Sequence, residues 1–356
     1  MHKEDTTTVK PERINELAQT ILKRLESSMK EIDSINLQTR LLSINAQVEA
    51  ARAGDAGRAF GVVASSMGEL SERTSSVAKG LTSGVQTGTN ELAEISKRLS
   101  SDVRGQRLTD LALYNIELID RNLYERTCDV RWWATDASLT IACEDDENAD
   151  KLAFASKRLG VILNAYTVYF DLVLCDTTGN VITNGRPKSY SSTGKNVSQS
   201  KWFRDAMNTR TGDDYGFQTV HKSELTNSQN ILSYSCAVRT GGDVNGDIIG
   251  VLGILFNWDS LAQTIVHRTA IAEDEWEYSR AMIVDSDGLI LADTQERILD
   301  KIEFNGMEQL FDNSRGFIET TINGKKCLVA HAKSPGYETY KTGWHSLIIQ
   351  RKSEPV

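Results

Sequence analysis

Two groups of side chains in this chain have the types and spacing to do chemistry. One is centred on Ser200-Lys201-Trp202-Phe203-Arg204. Trp202 and Phe203 offer aromatic surface, and Lys201 and Arg204 could meet a carboxylate. Asp171 or Asp214 could meet an ammonium, while Tyr190, Tyr215 and Tyr234 could add aromatic walls and hydroxyls. A plainer reading stands strongly against each, because Trp and Phe are ordinary core residues and surface Arg and Asp are common. The second group is Asn45, Glu49 and Arg52, at steps of four and three, flanked by Leu41, Ile44 and Val48. On a helix these share a face. A face that carries both apolar and charged groups suits docking to a partner, or simply salt bridging over a filled core.

The elements that must position the second group are helical. From Pro11, a good first helical residue, apolar residues recur as Ile14, Leu17, Ile21, Leu25, Met29, Ile32 and Ile35. After residue 60, Met67, Leu70, Thr74, Val77, Leu81, Gly84, Gly88, Leu92, Ile95 and Leu99 keep a three-four alternation, the pattern of a coiled-coil or bundle seam. Between the runs, Gly54 and Gly57 can reverse the chain. Residues 10–104 therefore read as an antiparallel helical hairpin with arms of roughly 60 Å. One hairpin has too little core to stand alone, so a homodimer forming a four-helix bundle is expected.

The first group needs a different scaffold. A helical stretch continues from 105 with Leu108, Leu111, Leu113, Ile116, Ile119 and Leu123 as its apolar spine, and another helix is expected over 149–165. Strands follow at 167–175, from 181, at 231–240 and at 248–258, with a turn at 176–180, a short helix at 200–207 and a helix near 258–268. The run at 248–258 is apolar throughout and expects cover on both faces. A second, shorter cycle repeats the strand, Asp-Gly turn and strand order over 281–293, then a hairpin at 317–333 turning at Asn323-Gly324, then a strand at 343–351. The repeat suggests a duplicated module. The fold class is α+β: a long antiparallel helical hairpin, then a long helix and two α/β modules with antiparallel sheets, bounded at 105–270 and 271–356.

The totals narrow the function. The 356 residues carry a formal charge of −9, which disfavours nucleic acid and anionic membranes as partners. The longest apolar run, 248–258, is about half a membrane span, and MHKEDTTTVKPER has no apolar leader core, so a cytoplasmic protein without membrane insertion is expected. The five cysteines form no C-x-x-C and read as buried thiols, and the five histidines have no zinc-like spacing. No metal or cofactor is expected. With no phosphate loop, nucleophile elbow or H-E-x-x-H, catalysis is not expected either.

The stretch LQTRLLSINAQVEAARAGDAGRAFGVVASSMGELSERT, residues 37–74, resembles the signalling tip of methyl-accepting chemotaxis proteins. That resemblance implies contact with a histidine kinase and its coupling adaptor through Leu41, Ile44, Asn45, Val48, Glu49 and Arg52, with Val62 extending the surface and Phe60 and Val63 packing the tip. Arg40, Gln47 and Ser65-Ser66-Met67 depart from the family pattern. The arms are too short for the family's methylation segments, which implies a truncated relative without that adaptation. Residues 105–351 resemble the double Cache sensor fold of two PAS-like units, which implies a small-molecule ligand in the first module under a lid opened by Trp202 and Phe203. Ser200-Lys201-Trp202-Phe203 lacks the Arg and the Tyr of the amino-acid-binding Arg-x-Trp-Tyr pattern. Taken together these imply a sensor that signals through its hairpin tip, or alternatively a ligand-independent scaffold of receptor arrays.

Overall fold

The structure, a computed structural model, describes residues 11–352. The segment read for a leader lies largely outside the described residues. The chain divides into two compact units, residues 1–104 and 105–356.

In the first unit, α1 (Pro11–Arg52) and α2 (Arg58–Trp133) are joined by a 3-10 turn, Gly54–Gly57. Both glycines are required. Gly54 has φ +62°, and a Cβ on Gly57 would stand 2.2 Å from the Ala50 carbonyl oxygen. The seam between the arms differs from the leucine-rich line that the sequence suggests. On α2 the inward line is Ala64, Ser71, Ala78, Thr89 and Ser96, and on α1 it includes Ala18, Ser43 and Ala50, all buried. Small side chains let the backbones approach. Ser43 Oγ donates to the Ala64 carbonyl at 2.7 Å and Ser71 Oγ to the Asn36 carbonyl at 3.0 Å. The line Leu70, Val77, Leu81, Leu92, Ile95 and Leu99 lies beside this seam and is exposed in the single chain, Val77 by 71%.

The second unit is built around the C-terminal part of α2, which carries Leu108, Ile116, Ile119, Leu123 and Val130 fully into the core. Next come α3 (Ala137–Glu144), capped by Asp136 accepting from the Ser138 amide, and α4 (Ala149–Ala165), capped by Asn148. The first sheet comprises β1 (Tyr169–Cys175), β2 (Val181–Asn184), β3 (Gly216–Ser223), β4 (Gln229–Arg239) and β5 (Ile248–Asn257), in the order β2-β1-β5-β4-β3. A short helix, α5 (Lys201–Met207), lies between β2 and β3 in sequence. After α6 (Trp258–His267) and a 3-10 helix, Glu273–Tyr278, the second sheet comprises β6 (Ser279–Val284), β7 (Ile290–Asp293), β8 (Arg315–Ile322), β9 (Lys325–Lys333) and β10 (His345–Arg351), in the order β7-β6-β10-β9-β8. Helix α7 (Met307–Phe311) precedes β8.

All pairings are antiparallel and the two sheets have one topology, with the last strand of each in the middle. The continuous apolar run is the central β5, covered on both faces, and Asn323-Gly324 turns β8 into β9 with φ of +50° and +75°. The sequence reading passed over α3, β3 and α7. Strand β3 lies at a sheet edge, exposes Thr219 and Lys222 and buries only Gly216 and Val220 fully, so its apolar signal is weak.

One apolar core joins α2, α3, α4 and the inner faces of both sheets, including Leu232, Phe256, Ile283 and Ile348. Each sheet also has a separate outer core. Helix α2 is pinned to the β9–β10 loop by Asp120. Its buried carboxylate accepts from Ser334 Oγ at 2.6 Å, the Gly336 amide at 2.8 Å and Thr342 Oγ1 at 2.9 Å. Nearer its end, Asp129 accepts from the Tyr169 hydroxyl and from Arg126 Nε, whose guanidinium lies over the Tyr169 and Phe256 rings.

Candidate functional site

The outer face of the first sheet gathers part of the first group. Odd-numbered residues of β1 and β5, Val173, Val251 and Leu255, point to α5, and Trp202, Phe203 and Ala206 fill the space against them. Gly253 makes room for the indole, since a Cβ there would stand 2.8 Å from Trp202. Ser235 Oγ donates to the Trp202 carbonyl at 2.6 Å, which fixes the start of the short helix. Tyr190 reaches this face through Phe170, ring centroids 6.3 Å apart.

Asp171 sits on the same face, fully buried. Its Oδ2 accepts from Asn184 Nδ2 at 2.7 Å, and its Oδ1 from the amides of Leu172 and Arg186, each at 2.9 Å. Thr193 Oγ1 donates to Asn184 Oδ1 at 2.9 Å, and Asn184 Nδ2 donates also to the Tyr190 carbonyl at 3.0 Å. Burial pushes the Asp171 carboxyl up to about 6, opposed by the Asn184 and amide hydrogen bonds. The Arg186 guanidinium points away, to the carbonyls of Tyr169, Phe170 and Leu163 at 2.7–2.9 Å. Ser233, at the middle of β4, has a buried hydroxyl with no hydrogen-bond partner among the described residues. Asn184, Thr193, Arg186 and Ser233 were not singled out in the sequence. Asn184 and Ser233 are polar residues on otherwise apolar strands, whereas Arg186 and Thr193 lie in the loop after β2 and carry no sequence signal of their own.

The other residues of the group lie elsewhere. Lys201 is exposed and paired with Asp205, its Nζ also 3.1 Å from the Phe217 carbonyl. Arg204 is exposed. Asp214 caps its own turn, accepting from the amides of Arg210 and Thr211 at 3.2 Å. Tyr215 and Tyr234 face the opposite, inner side of the sheet. Their rings lie 6.2 Å apart, Arg131 stands over Tyr215, and the Tyr234 hydroxyl meets that of Tyr340 at 2.8 Å. Of the nine, Asp171, Tyr190, Trp202 and Phe203 therefore share the outer face, Tyr215 and Tyr234 belong to the inner side, and Lys201, Arg204 and Asp214 are exposed at the surface.

At the hairpin tip, Leu41, Ile44, Val48 and Val62 are about half or more exposed, and Asn45, Glu49 and Arg52 are exposed beside them. Glu49 and Arg52 pair at 2.7 Å. Phe60 and Val63 are exposed too in the single chain. Arg40 faces Glu72 across the arms at 3.9 Å.

The five cysteines are free thiols, with Cys175, Cys236 and Cys327 buried. No group of three or more His, Cys, Asp or Glu side chains among the described residues could hold a metal. No helix among them is long and apolar enough to cross a membrane.

The architecture is thus two PAS-like sheets of one topology on a long helix whose N-terminal part also forms a hairpin arm. Residues 85–355 match the Cache domain family, to which the chain belongs. Residues 4–119 match the methyl-accepting chemotaxis protein (MCP) signalling domain. Protein PilJ of Pseudomonas aeruginosa is 40% identical over 111 residues, 28% of this chain and 16% of that protein. Biofilm dispersion protein BdlA of the same species is 43% identical over 84 residues, 23% of this chain and 20% of that one. The matches thus span a fifth or less of these relatives. Among solved structures, the ligand-binding domain of the Pseudomonas fluorescens chemoreceptor CtaA, in complex with L-isoleucine, is similar at TM-score 0.47 and 17% identity, over 72% of this chain and 94% of that one.

Proposed function

We propose that this chain is a dimeric, ligand-responsive signalling protein, in which a small molecule bound by the first Cache module alters what the hairpin tip presents to a chemotaxis histidine kinase and its coupling adaptor. A kinase partner of that kind puts it in the cytoplasm. The observation that carries the reading is the hairpin's outer row. Leu70, Val77, Leu81, Leu92, Ile95 and Leu99 are exposed while the seam inside is made of Ala, Ser and Thr. Such a row is stable in water only when covered, and a second hairpin covers it in a four-helix bundle. One helix, α2, carries both this row and the residues on which the sensor core is built. A ligand needs only a few kcal/mol of preference for one of two packings to shift their populations.

The proposed ligand site is the outer face beside Asp171, Tyr190, Trp202 and Phe203, with the Ser233 hydroxyl beneath and Lys201, Arg204 and Asp214 at the rim. Leu41, Ile44, Asn45, Val48, Glu49, Arg52 and Val62 form the proposed kinase and adaptor surface.

Sedimentation velocity of the parent and of Val77→Asp/Leu81→Asp tests the dimer. The parent should run as a dimer at micromolar concentration and the variant as a monomer. A monomeric parent ends this reading. Titrating amino acids, amines and carboxylates against a reconstituted kinase–adaptor complex containing the chain tests the rest. Ligand-dependent kinase activity is expected, and association indifferent to every ligand points to a scaffold instead.

A further inference from the structure

The second module has a cleft of its own. The ends of β6, β9 and β10, the β8–β9 turn and the 3-10 helix Glu273–Tyr278 line an open cleft of about 670 Å³, the size of a small-molecule site. Its apolar wall includes Trp276, Ile322 and Ile349, with His267 at the end of α6 on its border.

The charges lining the cleft are unequal. Arg280 is spent on Asp293, with bonds of 2.9 and 2.7 Å. Arg351 uses one nitrogen on the Glu277 carbonyl at 2.7 Å, and the rest of its guanidinium makes no hydrogen bond to a described residue. Lys325 has no ion-pair partner among the described residues. Among the described lining residues, two cations without an ion-pair partner, Lys325 and Arg351, stand with one carboxylate, Glu277, while Glu273 and Asp274 lie on the same 3-10 helix outside the lining. An ammonium and a guanidinium without ion-pair partners can hold a small anion by charge-assisted hydrogen bonds, and the planar guanidinium matches a carboxylate. The indole and the two isoleucines give that anion's body an apolar surface to rest on.

We infer that this cleft binds a small aromatic carboxylate, its charged end between Lys325 and Arg351 and its ring against Trp276 and Ile349. The site is separate from the outer face of the first sheet. Occupancy would be felt at α2, because Arg107 of that helix pairs with Glu275 in the 3-10 helix that forms the cleft wall.

Benzoate is the probe, titrated calorimetrically into the full chain, with benzyl alcohol and inorganic phosphate as separate titrants. Benzoate should bind with a dissociation constant of about 1 mM or tighter, roughly −4 kcal/mol. Lys325→Gln/Arg351→Gln should weaken binding at least about tenfold, and Trp276→Leu should weaken it with both cations intact. The two charged residues are exposed, so the double variant should melt with the parent by circular dichroism. No benzoate binding, or binding unchanged in the double variant, overturns the inference. So does benzyl alcohol or phosphate binding as tightly as benzoate, because either charge or ring recognition would then be missing.

Discussion

The hydroxyl of Tyr234, on the first sheet, lies 2.8 Å from that of Tyr340, in the loop that joins β9 to β10 of the second. The same loop is held by α2, through Asp120 on Ser334, Gly336 and Thr342. A single loop thus touches both modules and the helix that continues from the hairpin. Asp120→Ala would leave two hydroxyls and an amide unpaired in the core and should cost about 3 kcal/mol or more, read from urea denaturation. Ser334→Ala should cost about 1–2 kcal/mol, and Tyr340→Phe about 1 kcal/mol.

Gly57→Ala tests the hairpin turn. The added methyl would overlap the Ala50 carbonyl, 2.2 Å from its oxygen, and no flexible side chain can yield there. The two arms would have to part at the tip. The helical signal should melt earlier, and amide exchange near residues 48–62 should accelerate, while exchange in the sheets stays as in the parent. An unchanged tip would show that the turn tolerates a Cβ.

Asp171 gives the first module a pH signature. Its carboxyl titrates at about 6 when folded, against roughly 3.9 when unfolded. The folded state therefore holds that proton more tightly. The contribution is fully present below about pH 4 and is lost as pH rises through 6. Asp171→Asn removes the titration, at the cost of one acceptor oxygen. Its deficit in melting temperature should accordingly shrink between pH 4 and pH 7.

The second module has the opposite signature. His331 and His345 are buried with their Nδ1 atoms 3.3 Å apart, and Phe311 is stacked on His345 at 3.9 Å. Burial lowers His331 to about 4, and burial with the neighbouring His331 and Lys333 lowers His345 to about 3. Stability from this pair is present above about pH 6.5 and is lost as pH falls through 4 and 3. His331→Leu/His345→Leu should flatten the acid limb of the stability profile below pH 6.5. A limb unchanged in that variant would place the titration elsewhere.

The large divisions were legible in the sequence because they rest on periodicity. The three-four spacing shows the arms, the glycines at 54 and 57 the reversal, and the Asp-Gly turns the repeated sheets. What periodicity could not rank was two helical lines one residue apart on α2. Leu70, Val77 and Leu81 look like the seam, yet Ala64, Ser71 and Ala78 occupy it. Hydrophobicity marks what must be covered, whereas close approach of two backbones selects for small size, and those are different criteria. The candidate site was harder to read for a related reason. Tyr234 and Ser233 are adjacent in sequence and lie on opposite faces of one strand, so aromatic content alone could not tell the outer face from the inner core. The partners that absorb Asp171, at 184 and 186, lie across a turn whose register the sequence does not print.

The modest interior of the hairpin has a thermodynamic consequence. Methyls and hydroxyls between the arms provide little buried apolar area, so in the proposed dimer most of the stability of residues 11–104 comes from contacts between molecules and is second order in protein. The α/β unit, with its own continuous core, is first order. Heating should therefore resolve two transitions, and only the helical one should move to lower temperature on dilution.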